Sequence, residues 1–419
     1  MTYDIIIIGA SFSGLTLAHH LPKNLKILIL DKKKLLNSLI ESTGLITQAT
    51  KDEIAAFFEV DKYVPNQITT IGVVSTNFEN NFFSGTKKPW IYSTDTPTLI
   101  QGMSEKLPKN VDLKINSQFI TYKIDKNEEY PVKVKLKENG IEKKVSCKFI
   151  VGADGSESCV AKANKNLSKN KKFLVAIEKV FYGDILLGDN PDSTVYHFWF
   201  GEFSLGYGGW LSPTIINNKK AFRLGLAKLK KDRKELNKVN EFIEILKEKK
   251  IINIEKNTKE ILCFGHQIPI NGPLKKVQDD YSLLIGDAAG FCGAFSADGI
   301  KGAVISGKIA AKLIPKHLNG DKKALKTYLQ EMEKHNKLIT YYKKQLFYRF
   351  IWNRMKKNRT YKTMFNLIAK DKEHFINQFC DSKDRQKSLI GIVLKIRNLP
   401  LLIKYAWYIF LDLFKIKGH

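Results

Sequence analysis

The sequence predicts an α/β fold in three parts: a parallel sheet flanked by helices, a mixed β-sheet inserted into it, and a helical C-terminal region. Three observations predict it. Apolar runs at residues 5–8, 149–151 and 283–285 are short and rich in Ile, Leu and Val. Each ends at a glycine turn, as fully buried parallel strands do. Alternating runs at 194–200 and 221–226 read as half-buried strands of a second sheet. From about residue 322 the apolar spacing turns helical.

The first run leads into Gly9-x-Ser11-x-x-Gly14 and then a helix. Such a turn suits a pyrophosphate. One glycine makes the tight turn, a small residue lets backbone approach the phosphates, and a glycine lets helix and strand pack closely; the helix N-terminus supplies N–H groups and partial positive charge. Ser11 stands where a glycine is usual, and Phe12 and Ser13 complete the turn. Residues 25–30 read as the next strand, ending in Asp31-Lys32. Asp31 lies 17 residues after Gly14, near the spacing of a ribose-binding carboxylate. Together these predict a dinucleotide site on a Rossmann-like domain.

The second run, within FIVGADGS (149–156), delivers Asp154 on an Asp-Gly turn. The third lies within YSLLIGDAAGFCGAFSADGIKGAVISGKIAA (281–311). A strand carries Gly286-Asp287, a nearly uncharged glycine-rich turn follows, and a helix of small residues begins. The chemistry is that of one carboxylate offered to a sugar hydroxyl, with backbone N–H groups brought close to a flat, electron-rich ligand.

In this order the three motifs resemble the superfamily of FAD-dependent reductases and monooxygenases that shares the aromatic-hydroxylase fold. Within it, Gly290-Phe291 after GDAA, where hydroxylases usually have His, and the helix ISGKIAA (305–311) are similar to the geranylgeranyl reductase family of FAD-dependent oxidoreductases. GYGGWLSP (206–213), RLGL (223–226) and FGHQIP (264–269) are similar to further segments of that family. The resemblance spans about residues 3–315. There are departures. Ser42, in ESTGL, stands where the family has a Cys-Gly segment; Gly293-Ala294 replaces Asn-Pro; Ala297-Asp298-Gly299 replaces Gly-Glu-Gly; Ser212 replaces a Phe; and Gln101 lies where an Arg is common.

The resemblance implies FAD as cofactor. Gly9, Ser11, Phe12, Ser13 and Gly14 would hold the pyrophosphate, and Asp31 with Lys32 the adenosine end. Asp287 would hold the ribityl or pyrophosphate end, and Gln101, Asp154 and Gly286 are further cofactor-binding candidates. Ala288 to Gly290 would approach the isoalloxazine, the 292–299 loop with Ala297 and Gly299 would line the flavin face, and Ile300 is a further cofactor-binding candidate. Trp210, Phe295 and His266 are candidate pocket walls, although a lone His at a strand end is more often structural. Reducing an alkene needs a hydride from the flavin and a proton on the other carbon; Tyr207, Cys292 and Ser42 are the candidate donors. The reductant is NAD(P)H or a reduced, acidic ferredoxin, and no metal site is implied.

A chain of 419 residues exceeds one simple core. The FAD-binding domain is expected from 1–50, 90–165 and 278–325. A substrate domain is expected from 51–89 and 166–277, with a charged, solvated amphipathic helix at 232–250. A basic helical region is expected at 326–419. Five scattered cysteines without a Cys-x-x-Cys pair suggest neither a disulfide framework nor a metal site, and fit a reducing cytoplasm. The sequence enters its first strand at once, so no signal peptide is expected.

The net charge of +27 fits nucleic acid, an anionic membrane or an acidic protein, and also the lysine bias of an AT-rich genome. No nucleic-acid motif is present. Residues 341–419 hold 18 Lys/Arg against 5 Asp/Glu, with 15 aromatics. The last apolar runs are broken by Lys395, Arg397, Lys404 and Asp412, too often for a spanning helix. Two readings stand: a helix lying in a membrane interface, or a basic cap packed on the FAD domain.

The expected activity is reduction of isoprenoid C=C bonds in geranylgeranyl groups of a prenyl lipid or ether-lipid precursor, by a cytoplasmic enzyme peripheral at an anionic membrane. A monooxygenase or halogenase-like enzyme is the second reading. A membrane-bound electron-transfer flavoprotein is the third.

Overall fold

A computed structural model of the chain describes residues 1–37, 42–198, 206–255, 259–372 and 395–414. A seven-stranded sheet forms around Thr2–Ile8, which pairs in parallel with Ile27–Leu30 on one side and Ile141–Gly152 on the other. Val111–Lys114 extends the first side, and Ser282–Leu284 lies parallel to the end of Ile141–Gly152. Ile5, Ile6 and Ile7 have no solvent exposure. Burying one such side chain stabilises the fold by roughly 1.5–3 kcal/mol, so the strands that carry the glycine turns form the rigid centre. Val132–Glu138 and Ser117–Ile124 complete the sheet in antiparallel fashion. Asn139 and Gly140, both at positive φ, form the hairpin turn.

The second sheet has eight strands and is mixed. Phe173–Ile185, Lys219–Leu229, Gly206–Ile216 and Thr194–Phe198 run antiparallel in succession, and Thr70–Val74 then pairs in parallel with Thr194–Phe198. One face packs Leu211, Phe222, Leu224 and Leu226 beneath the helix Lys238–Glu248. This corrects the single solvated helix expected at 232–250. Residues Lys230–Asn237 form 3-10 turns, and the helix that follows buries Val239, Phe242, Ile243 and Leu246. Their i, i+3, i+4, i+7 spacing is a core-facing stripe that the surrounding lysines and glutamates obscure in the sequence. The other face packs Ala176, Trp210 and Ala227 with Cys292 and Ala294 of the third glycine-rich turn.

C-terminal helices cover one side of both sheets. Leu338–Trp352 and Asn358–Ala369 bury Trp352, Tyr361, Met364 and Phe365 against Ile71, Val73, Phe82 and Trp90 of the second sheet and its neighbours. The terminal helix Leu399–Leu413 packs on them through Tyr405 and Asp412. Asp412 accepts hydrogen bonds from the amides of Lys356 (2.7 Å) and Lys357 (3.1 Å) and from the Thr360 hydroxyl (2.8 Å), at the N-terminus of the preceding helix. Among the described residues no helix is long and apolar enough to cross a membrane.

Candidate flavin site

The first strand ends at Gly9, whose φ of +109° suits glycine alone. A Cβ here would collide with the Ala153 carbonyl oxygen, and a Cβ on Gly14 would collide with the Gly9 carbonyl oxygen. The chain therefore turns tightly into the first helix, Phe12–His20, whose cap residue Ser11 makes no side-chain capping bond. The N–H groups of its first turn are thus left for an external acceptor. Phe12 is buried in the core and Ser13 faces Gly286, so both would meet a phosphate through backbone only.

At the end of the next strand, Asp31 accepts from the Ala10 amide through Oδ2 (2.8 Å) and from the Lys33 amide through Oδ1 (2.8 Å). It fixes the turn from the side, and each oxygen retains a lone pair for a ribose hydroxyl. Lys32 is exposed beside it. Gln101, on the helix Thr96–Glu105, donates to Glu105 one turn away (2.7 Å). Asp154 is tied to the protein. Its Oδ2 accepts from the amides of Cys159 (2.6 Å) and Val160 (3.1 Å), so it braces the start of a short helix.

The third turn meets the first. The Gly286 amide donates to Ser306 Oγ (2.9 Å), and Gly286 lies against Ser13. Gly307 lets the helix Gly299–Leu318 approach the first helix, since a Cβ there would sit 2.7 Å from the Ser13 carbonyl oxygen. Ala288 and Gly290 are buried, Gly290 at φ +73°. The Asp287 carboxylate faces the N-terminus of this long helix, with Oδ1 2.9 Å from where a Gly299 Cβ would lie. No side-chain or backbone donor among the described residues bonds it, and burial together with nearby Asp298 pushes its pKa up to about 7. A half-buried carboxylate lacking a donor fits a ligand hydroxyl. The crossed backbone at Gly9 and the open first turn fit a pyrophosphate. The residues present therefore suit FAD.

The loop 292–299 is held from outside by the helix Leu338–Trp352, which sequence reasoning missed. Gln345 Oε1 accepts from the amides of Phe295 (3.0 Å) and Ser296 (2.9 Å). Tyr341 donates to Asp298 (2.6 Å), and Arg349 Nε donates to the Ala294 carbonyl (2.8 Å). Ala297 sits at φ +57°, a left-handed backbone for a residue with a Cβ, and Ile300 begins the helix beyond it.

The candidate proton donors differ in placement. Cys292 is buried, and burial with Asp287 and Asp298 raises its pKa well above the usual thiol value, so its proton stays on sulfur. Ser42 Oγ accepts from the Gly44 amide (3.1 Å) within its own turn. Tyr207 lies on the strand Gly206–Ile216, and its side chain is outside the described residues. Phe295 packs edge-on against Tyr348 and Trp352 of the C-terminal helices. Trp210 shares one apolar cluster with Cys292 and Ala294, which places it over the loop. His266 lies on the same face of the sheet, opposite Ala176, and burial lowers its pKa to about 4, so it is neutral.

Sequence reasoning also passed over Glu178. It pairs across the sheet with Gly225, which in turn faces Trp210, so the three share one face. Glu178 has no solvent exposure, and Arg223 Nη1 lies 3.9 Å from its Oε1. Arg223 also donates to the Thr43 carbonyl (2.9 Å), joining the roof sheet to the 42–45 loop. The available signal was a single acid inside the apolar strand 173–181.

Comparison with known proteins agrees with this geometry. A family model described as FAD binding domain matches residues 2–341. A digeranylgeranylglycerophospholipid reductase of Methanococcus vannielii is 23% identical over 414 residues, covering 96% of this chain and 97% of that protein. Among solved structures, a geranylgeranyl bacteriochlorophyll reductase-like protein of Thermoplasma acidophilum has a TM-score of 0.77 at 16% identity, covering 99% of each chain. The p-nitrophenol 4-monooxygenase of Pseudomonas putida has a TM-score of 0.66 at 15% identity, covering 89% of this chain and 95% of its own. The α/β fold is thus common to a protein named as reductase-like and one named as a monooxygenase. The chain belongs to the FAD binding domain family and is an FAD-dependent oxidoreductase.

Proposed function

We propose that this enzyme hydrogenates isoprenoid C=C bonds in geranylgeranyl groups of a prenyl lipid or ether-lipid precursor. One observation carries the reading. The loop 292–299 packs between two buried apolar clusters: Trp210 with Ala176, Ala227 and Ile268, and Phe295 with Trp352, Ile71 and Val73. Apolar surroundings of this kind favour a branched hydrocarbon chain. Near-full-length similarity to a protein named as a digeranylgeranylglycerophospholipid reductase supports the same substrate class.

Bound FAD would supply the two-electron chemistry, recharged by NAD(P)H or by two one-electron transfers from a reduced ferredoxin. The chain's own part is to hold the pyrophosphate at Gly9–Gly14, to position the loop through Gln345 and Tyr341, and to exclude water with the apolar walls. Saturating one bond takes a hydride and one proton, and Cys292, Ser42 and Tyr207 remain the candidate proton sources.

The test is anaerobic turnover of geranylgeranyl lipids with chemically reduced holoenzyme, followed by mass spectrometry. Mass gains in steps of two hydrogens are expected. A hydroxylated or halogenated product formed only with O₂ would replace this reading by that of a monooxygenase or halogenase. Reducible FAD without turnover of any prenyl lipid would favour an electron-transfer flavoprotein.

A further inference from the structure

The terminal helix Leu399–Leu413 buries one side and leaves the other uncovered. Leu399, Ile403, Trp407, Phe410 and Phe414 are 50%, 62%, 54%, 43% and 64% exposed. Their spacing of 4, 4, 3 and 4 residues gathers them within an arc of about 80° at 100° per residue. Trp407 and Phe410 stack with centroids 5.5 Å apart, and Phe410 meets Phe414 at 4.7 Å. Scattered exposed apolar residues are ordinary, but a continuous aromatic and aliphatic stripe along one helix marks a contact surface.

Charge says what covers it. The helix carries one acid, Asp412, and that residue points inward and is consumed by the amides of Lys356 and Lys357 and by Thr360. Lys404 is exposed about 60° around the helix from the stripe, and with Arg359 it lies beside the Tyr408 ring, 5.7 Å and 5.4 Å from its centroid. Just before the helix, Lys395 and Arg397 share the single carboxylate of Asp371. The outer face therefore offers apolar groups flanked by cations and no carboxylate of its own helix. A second copy of a chain with net charge +27 would bring the same cations against these, and repulsion opposes that pairing. A bilayer with anionic headgroups matches both components: the apolar stripe enters the acyl boundary while Lys and Arg meet the headgroups, and Trp is enriched at that depth.

We infer that the stripe of the terminal helix seats this protein on an anionic lipid surface, with the helix lying in the plane of the interface. The inference concerns binding alone and stands apart from the substrate assigned above. Full-length, flavin-loaded protein is mixed with phosphatidylcholine vesicles, with or without about one third phosphatidylglycerol, and floated on a density gradient. The native protein should float with the anionic vesicles and far less with the neutral ones. Trp407→Asp combined with Phe410→Asp should lower the bound fraction at least about tenfold, given the cost of placing charge at the acyl boundary, with flavin content and melting temperature unchanged because both positions are exposed. Equal flotation of native and variant protein, or no flotation with anionic vesicles, overturns the inference. So does a dimer, seen by light scattering without lipid, that the same substitutions dissociate, because the stripe would then belong to a second copy.

Discussion

The indole Nε1 of Trp210 donates a 2.8 Å hydrogen bond to Oε2 of Glu178, a carboxylate with no exposed surface on the inner face of the roof sheet. The bond fixes the ring over Gly225, where any Cβ would collide with it. Glu178 thus positions an aromatic wall that packs with the flavin loop at Cys292 and Ala294.

Glu178 makes stability depend on pH with a defined sign. Burial raises its pKa to about 7, against the opposing pull of Arg223 and the Trp210 hydrogen bond. Between pH 4.5, its ordinary value, and pH 7, the folded state keeps a proton that the unfolded chain releases. Stability from this group therefore falls as pH rises through that window, by about 3 kcal/mol in all. Asp287, raised to about 7, acts in the same direction. His197 and His266, lowered to about 4 by burial, act in the opposite one, adding stability as pH rises from 4 to 6.5. The native profile should be shallow because these oppose. Glu178→Gln removes one falling contribution, so urea titrations at pH 5 and pH 8 should show the variant gaining on the native protein with rising pH. A constant difference between the two proteins would remove Glu178 from the account.

Gln345 should matter more than a helical glutamine usually does. Its Oε1 takes the amides of Phe295 and Ser296, and the residue is only 4% exposed. Gln345→Leu keeps the volume and orphans these donors, each costing about 1–3 kcal/mol when buried. A loss of about 2–6 kcal/mol in chemical denaturation and weaker flavin retention on dialysis are expected. Gln345→Glu keeps the acceptor but sets a carboxylate where Nε2 donates to Asp298 Oδ1 (3.3 Å), so it should restore flavin retention only in part.

What was legible in the sequence follows from where each interaction is encoded. The turns at Gly9, Gly152 and Gly286 are legible because a strand, a backbone with special demands and a helix start fall within a few residues. The strand register that puts Trp210 over the flavin loop is legible in part, through alternation. The clamp by Gln345, Tyr341 and Arg349 is not, because it joins loop and helix across some 40 to 55 residues and leaves no local pattern. Asp154 shows what the sequence cannot divide: its Oδ2 accepts from the amides of Cys159 and Val160, while its buried Oδ1 has no protein partner.

Gly9 and Gly140 separate backbone strain from crowding. Both have positive φ, +109° and +87°, but a Gly140 Cβ meets nothing within 4 Å while a Gly9 Cβ runs into the Ala153 carbonyl. Gly140→Ala should cost about 1 kcal/mol and leave a yellow protein. Gly9→Ala must push apart the strands that build the site, and should abolish flavin binding in absorbance spectra of the purified protein. Full flavin occupancy in Gly9→Ala would show that the first turn does not hold the cofactor.

Ala297 presents the remaining test, because it pays for its place in the flavin loop. At φ +57° its Cβ crowds the following carbonyl, costing roughly 1–2 kcal/mol. Its amide donates to the Gly293 carbonyl (2.9 Å) and its carbonyl accepts from Gly299 (3.0 Å), so the loop cannot relax without losing both bonds. Glycine adopts this conformation freely but loses more entropy on folding, about 0.5–1 kcal/mol. The methyl group also packs beside the cluster that contains Trp210 and Cys292. Ala297 is only half-buried, so the packing loss is small and relief of strain should prevail. Ala297→Gly is therefore expected to raise the denaturation midpoint by an amount corresponding to about 1 kcal/mol or less. If the midpoint falls, contact of this methyl with the aromatic wall outweighs the backbone strain, and position 297 is set by the pocket rather than by the turn.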